Sequence, residues 1–200
     1  MAVLLYMESA FDRFPTEGRI IGRLVIEYGT LEYDFCLLAS AVTGDHDAAV
    51  KVMYRARGEQ RVDLVDALTR QHAPTEIRQR YEQCVADIHV CRKIRNRYAH
   101  AQWVDTVGHG LAYVGLEAMA ESHDPVDLRR APYFGLDLPL IEDEQRFFVG
   151  TFQNVRYLTM CAHALRGGRP VPEVHFIDPL LRPTKPQLID WGDFSQFDRW

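Results

Sequence analysis

The sequence predicts a mainly α-helical protein, an up-and-down helical bundle with a small β-hairpin after one helix and an extended, Pro-rich C-terminal tail. Three observations carry that expectation. Two segments repeat apolar residues at alternating spacings of three and four: Ile21, Leu24, Tyr28, Leu31, Phe35, Leu38 and Val42, then Ile77, Tyr81, Cys84, Ile88 and Cys91. Each is the pattern of one buried helical stripe. Only the stretch after residue 101 changes to a two-residue period, and only the segment beyond 169 is broken repeatedly by proline.

Two hundred residues suit one domain with room for a core. The expected organisation is an N-terminal arm over 1–15, a helical domain over 16–166 and a tail over 167–200. A net charge of −5 argues against an obligate nucleic-acid coat, which needs a basic surface, but leaves room for a local basic cleft.

The elements follow in order. Residues 1–14 include the apolar Val3-Leu4-Leu5-Tyr6-Met7 but lack a basic leader or a spanning run, so export and membrane insertion are not expected. A short docking helix or strand is expected there. Pro15, Thr16 and Glu17 then make a helix start, and Gly44-Asp45 makes its stop. Gly22, Gly29 and Cys36 form a strip of small residues beside the stripe, where another helix could approach closely. A second helix is expected over 45–57 and a third over 59–71, the third burying Val62, Leu64, Val65 and Leu68. Thr75 is expected to cap the next helix, with Glu76 in its first turn.

That helix ends in Cys91-Arg92-Lys93-Ile94-Arg95-Asn96-Arg97-Tyr98-Ala99-His100, followed by Ala101-Gln102-Trp103. It sets four cations within six residues of an acidic chain. The next positions of the apolar stripe are Arg95 and Tyr98, so a guanidinium falls where an apolar side chain is expected. Such a group needs a carboxylate, a carbonyl or an anionic ligand. Asn96 and His100 are four apart and share a face beside Arg95. Imidazole moves protons near neutrality, and arginine forks onto phosphate oxygens. The trio therefore suits phosphodiester cleavage with no metal or other cofactor: Arg95 holding phosphate, His100 transferring the proton, and Asn96 orienting either. Arg92, Lys93 and Arg97 would guide the backbone. Glu32, an acid on the flank of the first long helix, would either pair with Arg95 or Arg97 or stay solvated or locally paired, with Tyr98 and Trp103 supporting the site from behind.

The run Arg95-Asn96-Arg97-Tyr98-Ala99-His100 resembles the R-N-x-x-x-H motif of HEPN domains (higher eukaryotes and prokaryotes nucleotide-binding), and residues 21–32 are similar to the first long helix of some of them. The resemblance implies a cytoplasmic homodimer whose motif helices meet in a composite cleft. It further implies metal-independent cutting of single-stranded RNA in a toxin or phage-defence setting. Some domains of this kind keep the motif and act only as binding or regulatory modules, which stands as the alternative.

After His100, residues 102–107 and 111–116 read as a hairpin about Gly108-His109-Gly110. Residues 117–138 read as irregular, and 139–166 as helix closed by Gly167-Gly168. In the tail, prolines at 170, 172, 179, 183 and 186 exclude long helix or central strand. Trp191, Phe194, Phe197 and Trp200 are expected to dock on the domain itself, its dimer mate or another protein such as an antitoxin. Laid across the motif, the tail would be an autoinhibitory clamp. The cysteines Cys36, Cys84, Cys91 and Cys161 have no C-x-x-C pairing and read as small buried apolar residues rather than zinc ligands; with no leader, a reducing cytoplasm is expected.

Overall fold

A computed structural model describes residues 9–56, 60–106, 110–114, 132–172 and 176–189. The fold is mainly α with a small antiparallel sheet. Among the described residues the helices are α1 (Ala10–Arg13), α2 (Pro15–Thr43), α3 (His46–Arg55), α4 (Gln60–Arg70), α5 (Thr75–His100) and α6 (Leu138–Arg166). The strands are β1 (Gln102–Thr106), β2 (Gly110–Val114), β3 (Tyr133–Gly135) and β4 (Gln187–Leu188), in that order across one sheet.

The core lies between α2, α5 and α6, and α2 shares its most extensive interface with α6. All seven residues of the α2 stripe are buried, with Leu24, Leu31, Phe35 and Leu38 completely so. Truncating Leu24 or Leu31 to alanine would cost about 2–5 kcal/mol, because burial and packing are lost together. Helix α2 stops where Gly44 turns left-handed, at φ 78°, a conformation that disfavours any residue with a Cβ. Asp45 then caps α3 by accepting from the Ala48 N–H at 2.9 Å. All four cysteines are buried free thiols.

Several expectations are corrected by packing. In α4 the buried positions are Val62, Val65 and Thr69, a clean three-four alternation, whereas Leu64 is 46% exposed. Thr75 is the first residue of α5, and Pro74 occupies the capping position without a side-chain hydrogen bond. Gly22 and Gly29 do not receive a neighbouring helix: nothing lies within 4 Å of where a Cβ would sit on either. The hairpin is present, with Gln102 opposite Val114 and Thr106 opposite Gly110. The sheet continues beyond it, since β3 arises in the segment read as irregular and β4 in the tail. Residues 1–8, 57–59, 107–109, 115–131, 173–175 and 190–200 lie outside the described residues, and with them the apolar Val3–Met7 run, the hairpin turn and the four terminal aromatics.

The described tail packs in cis. The Asn154 side chain on α6 donates to the Ile177 carbonyl at 3.1 Å and accepts from its N–H at 2.9 Å. Arg80 lies over the rings of Tyr157 and Phe176, Gln83 donates to Asp178, and Arg182 donates to the buried Asp87 at 3.3 Å. Leu180 sits where a side chain at Gly150 would stand. No described helix is long and apolar enough to cross a membrane.

Candidate functional site

Helix α5 advances about 100° per residue, so Arg92, Asn96 and His100 form one ridge, with Arg95 between that ridge and the buried stripe. The stripe itself continues through Cys91, Ile94 and Tyr98, which leaves Arg95 half-buried. Facing the ridge are α2 and α4. Together they enclose a pocket of about 350 Å³: α5 contributes Arg92, Arg95, Asn96 and His100, α4 contributes Arg61, and α2 contributes Val25, Ile26, Tyr28, Gly29 and Glu32. Three guanidiniums thus meet one carboxylate in a chain whose net charge is −5. The local sign is reversed from the global one.

A hydrogen bond and ion pairs hold this geometry. Arg95 Nη1 donates to Asn96 Oδ1 at 3.0 Å, tying two motif residues together. Arg92 Nη1 lies 3.5 Å from Asp63 Oδ2 on α4, and His89 Nε2 lies 3.7 Å from the other oxygen of that carboxylate. Burial, and then the Arg92 charge, push the His89 pKa down, with Asp63 opposing; a neutral His89 leaves the Asp63 charge to Arg92. His100 is exposed at the end of α5, where the chain turns straight into β1.

Not every expected residue joins the pocket. Glu32 does line it, but its partner is Arg61 at 3.3 Å rather than Arg95 or Arg97. Arg97 is two residues from Arg95 and therefore roughly 200° around the helix, facing α6. There it donates to Glu144 Oε1 while the Tyr98 hydroxyl donates to Glu144 Oε2. Glu144 is fully buried; burial raises its pKa, and Arg97 and the two hydrogen bonds pull it back. Arg97 and Tyr98 are thus committed to a buried cluster and are not available as a phosphate guide or as a direct backing of His100. Trp103 packs against Tyr98, Phe11 and Tyr113 with ring centroids 5.1–5.8 Å apart, anchoring β1 to α5. Lys93 is exposed and does not line the pocket.

The sequence contained one sign of the Arg97 cluster. Glu144 interrupts the α6 stripe between Ile141 and Phe148, and a carboxylate there needs a cation across the interface. Arg61 carried no such sign, and Tyr28 looked like any core aromatic. The tail contacts at Arg80, Gln83 and Asp87 lie roughly opposite the Arg92–His100 ridge around α5. Residues 176–189 therefore do not cross the pocket, which corrects the clamp for the described part of the tail. Among the described residues, no group of three or more His, Cys, Asp or Glu is gathered to hold a metal ion.

Fold and site define a mainly helical protein with a basic pocket walled by α2, α4 and α5. No family model matches the chain, and neither a curated protein nor a solved structure does so.

Proposed function

We propose that this protein is a metal-independent endoribonuclease of HEPN type that cuts single-stranded RNA as a cytoplasmic homodimer, in a toxin or defence role. The observation that supports this best is the convergence of Arg95, Asn96 and His100 with Arg92 on one 350 Å³ pocket. In this reading the His100 imidazole takes the proton of the ribose 2′-hydroxyl, and the 2′ oxygen attacks phosphorus. The bond from phosphorus to the 5′ oxygen then breaks. The departing oxygen takes a proton from a second imidazole, the partner's His100 across a two-fold axis. The products are a 2′,3′-cyclic phosphate and a 5′-hydroxyl. Arg95 and Arg92 stabilise the negative charge that builds on the phosphoryl oxygens, Asn96 fixes the Arg95 guanidinium, and exposed Lys93 guides flanking backbone.

A face of α2 beside the pocket supports the dimer. Gly22, Ile26, Gly29 and Tyr33 share it at helical spacing, with Ile26 76% and Tyr33 43% exposed. A second copy would cover that apolar surface and bring two ridges together. An antitoxin or other partner recognised by residues 190–200 belongs to the same proposal.

RNA cleavage in excess chelator by wild type and by His100→Ala, both checked for folding and mass, tests it. Because His100 is exposed, the variant should fold within about 0.5 kcal/mol of wild type and lose cutting. Failure of wild type to cut any single-stranded RNA would leave the non-catalytic binding module.

A further inference from the structure

Two polar atoms beside this pocket are buried without a hydrogen-bond partner: the Tyr28 hydroxyl and Arg95 Nε. Tyr28 is only 5% exposed and its ring belongs to the α2 core stripe, yet it lines the pocket. Its hydroxyl lies in the field of Glu32, Arg92, Cys91 and Arg95. Buried polar groups in native proteins are nearly always satisfied, so two such orphans beside one pocket point to something that satisfies both.

We propose that Tyr28 Oη and the Nε edge of Arg95 together bind one phosphodiester group, making Tyr28 a ligand-binding residue of this site. The inference rests on the phosphate-binding half of the proposed function and names its ligand class. Burial, and then Glu32, raise the Tyr28 pKa, so the phenol keeps its proton and is a donor at neutral pH. Arg95 Nη1 is engaged by Asn96, leaving the edge that carries Nε–H and the second terminal nitrogen. That edge presents two parallel N–H groups at the spacing of two phosphate oxygens.

The same wall sets the charge of the ligand. Glu32 lines the pocket with its side chain only 14% exposed, and Arg61 already pairs with it. A fixed carboxylate there opposes the second negative charge of a phosphate monoester or of inorganic phosphate. A singly charged diester meets the guanidiniums and the Tyr28 hydroxyl without that repulsion.

A 2′-deoxy dinucleotide, thymidylyl-thymidine, tests this without chemistry, because it lacks the attacking hydroxyl. Binding is measured by calorimetry for wild type, Tyr28→Phe and His100→Ala, with inorganic phosphate as competitor and the Arg95 Nε–H resonance as reporter. Wild type should bind the dinucleotide more tightly than inorganic phosphate and shift that resonance. Tyr28→Phe should weaken binding about ten-fold or more, the loss of one hydrogen bond to a charged group, while the ligand-free variant melts at or above the wild-type temperature. Equal affinity in Tyr28→Phe, no dinucleotide binding by wild type, or tighter binding of inorganic phosphate would each overturn it. Dinucleotide binding that needs Tyr28, in a protein that cuts no RNA, would leave this inference standing and remove the ribonuclease.

Discussion

Replacing Gly22 and Gly29 with leucine separates what the α2 face does for folding from what it does for function. Both glycines lie inside α2, both are exposed, and neither would place a Cβ within 4 Å of another atom. Glycine in an exposed helix interior is about 0.8–1 kcal/mol worse than alanine, and leucine is close to alanine. Each substitution should therefore stabilise the isolated chain by about 0.7 kcal/mol. Seven residues separate the two sites by roughly 10 Å along the axis, so the gains should add, to about 1.4 kcal/mol. For a chain of this size that raises the melting temperature by roughly 3–6 °C. The pocket responds differently at the two sites, because Gly29 lines it and Gly22 does not. Gly29→Leu should abolish dinucleotide binding and RNA cutting, whereas Gly22→Leu should weaken the dimer, and RNA cutting with it, while leaving dinucleotide binding intact. Melting curves at two protein concentrations, mass by light scattering, and binding titrations read all three effects. A double variant that remains dimeric and active would refute the assignment of this face. A less stable monomer would refute the helix argument beneath it.

Other consequences follow from the buried charges and the tail. Glu144→Gln leaves the Arg97 guanidinium facing a neutral amide, and urea unfolding should show a loss of about 3 kcal/mol. Adding Arg97→Met should recover part of that loss if the pair is coupled as the geometry requires. The lowered His89 pKa means the unfolded chain holds a proton there that the folded chain does not. Its contribution to stability is present above the ordinary histidine value of about 6.5 and is lost as pH falls through the lowered folded value. Stability of wild type relative to His89→Gln should accordingly decline as pH falls below about 6.5, and parallel curves would dismiss the burial of that ring. Deleting residues 169–200 exposes Asp87 and the Leu180 seat on Gly150, and should cost at least about 2 kcal/mol. A truncated protein as stable as the full chain would show that the strap is dispensable.

The sequence by itself determined the long helices α2 and α5 and most of the face each one buries. The α2 and α5 stripes are properties of spacing along one chain, and every stripe position from Ile21 to Val42 and from Ile77 to Cys91 is buried. The same spacing put Asn96 and His100 on one ridge, so the centre of the candidate site was legible before any tertiary contact was known. Which helix faces each charge was not. Glu32 found Arg61, 29 residues away, and Arg97 found Glu144, 47 residues away. Helix order and crossing decided both pairings, because a charged side chain takes the counter-charge that packing brings within reach. Packing likewise drew two strands from segments without a two-residue period, since strands of only three and two residues need little beyond backbone pairing. Tyr28 lies at the limit of what sequence can state: its ring follows the core period, and only the neighbouring helices decide that its hydroxyl comes to lie among arginines.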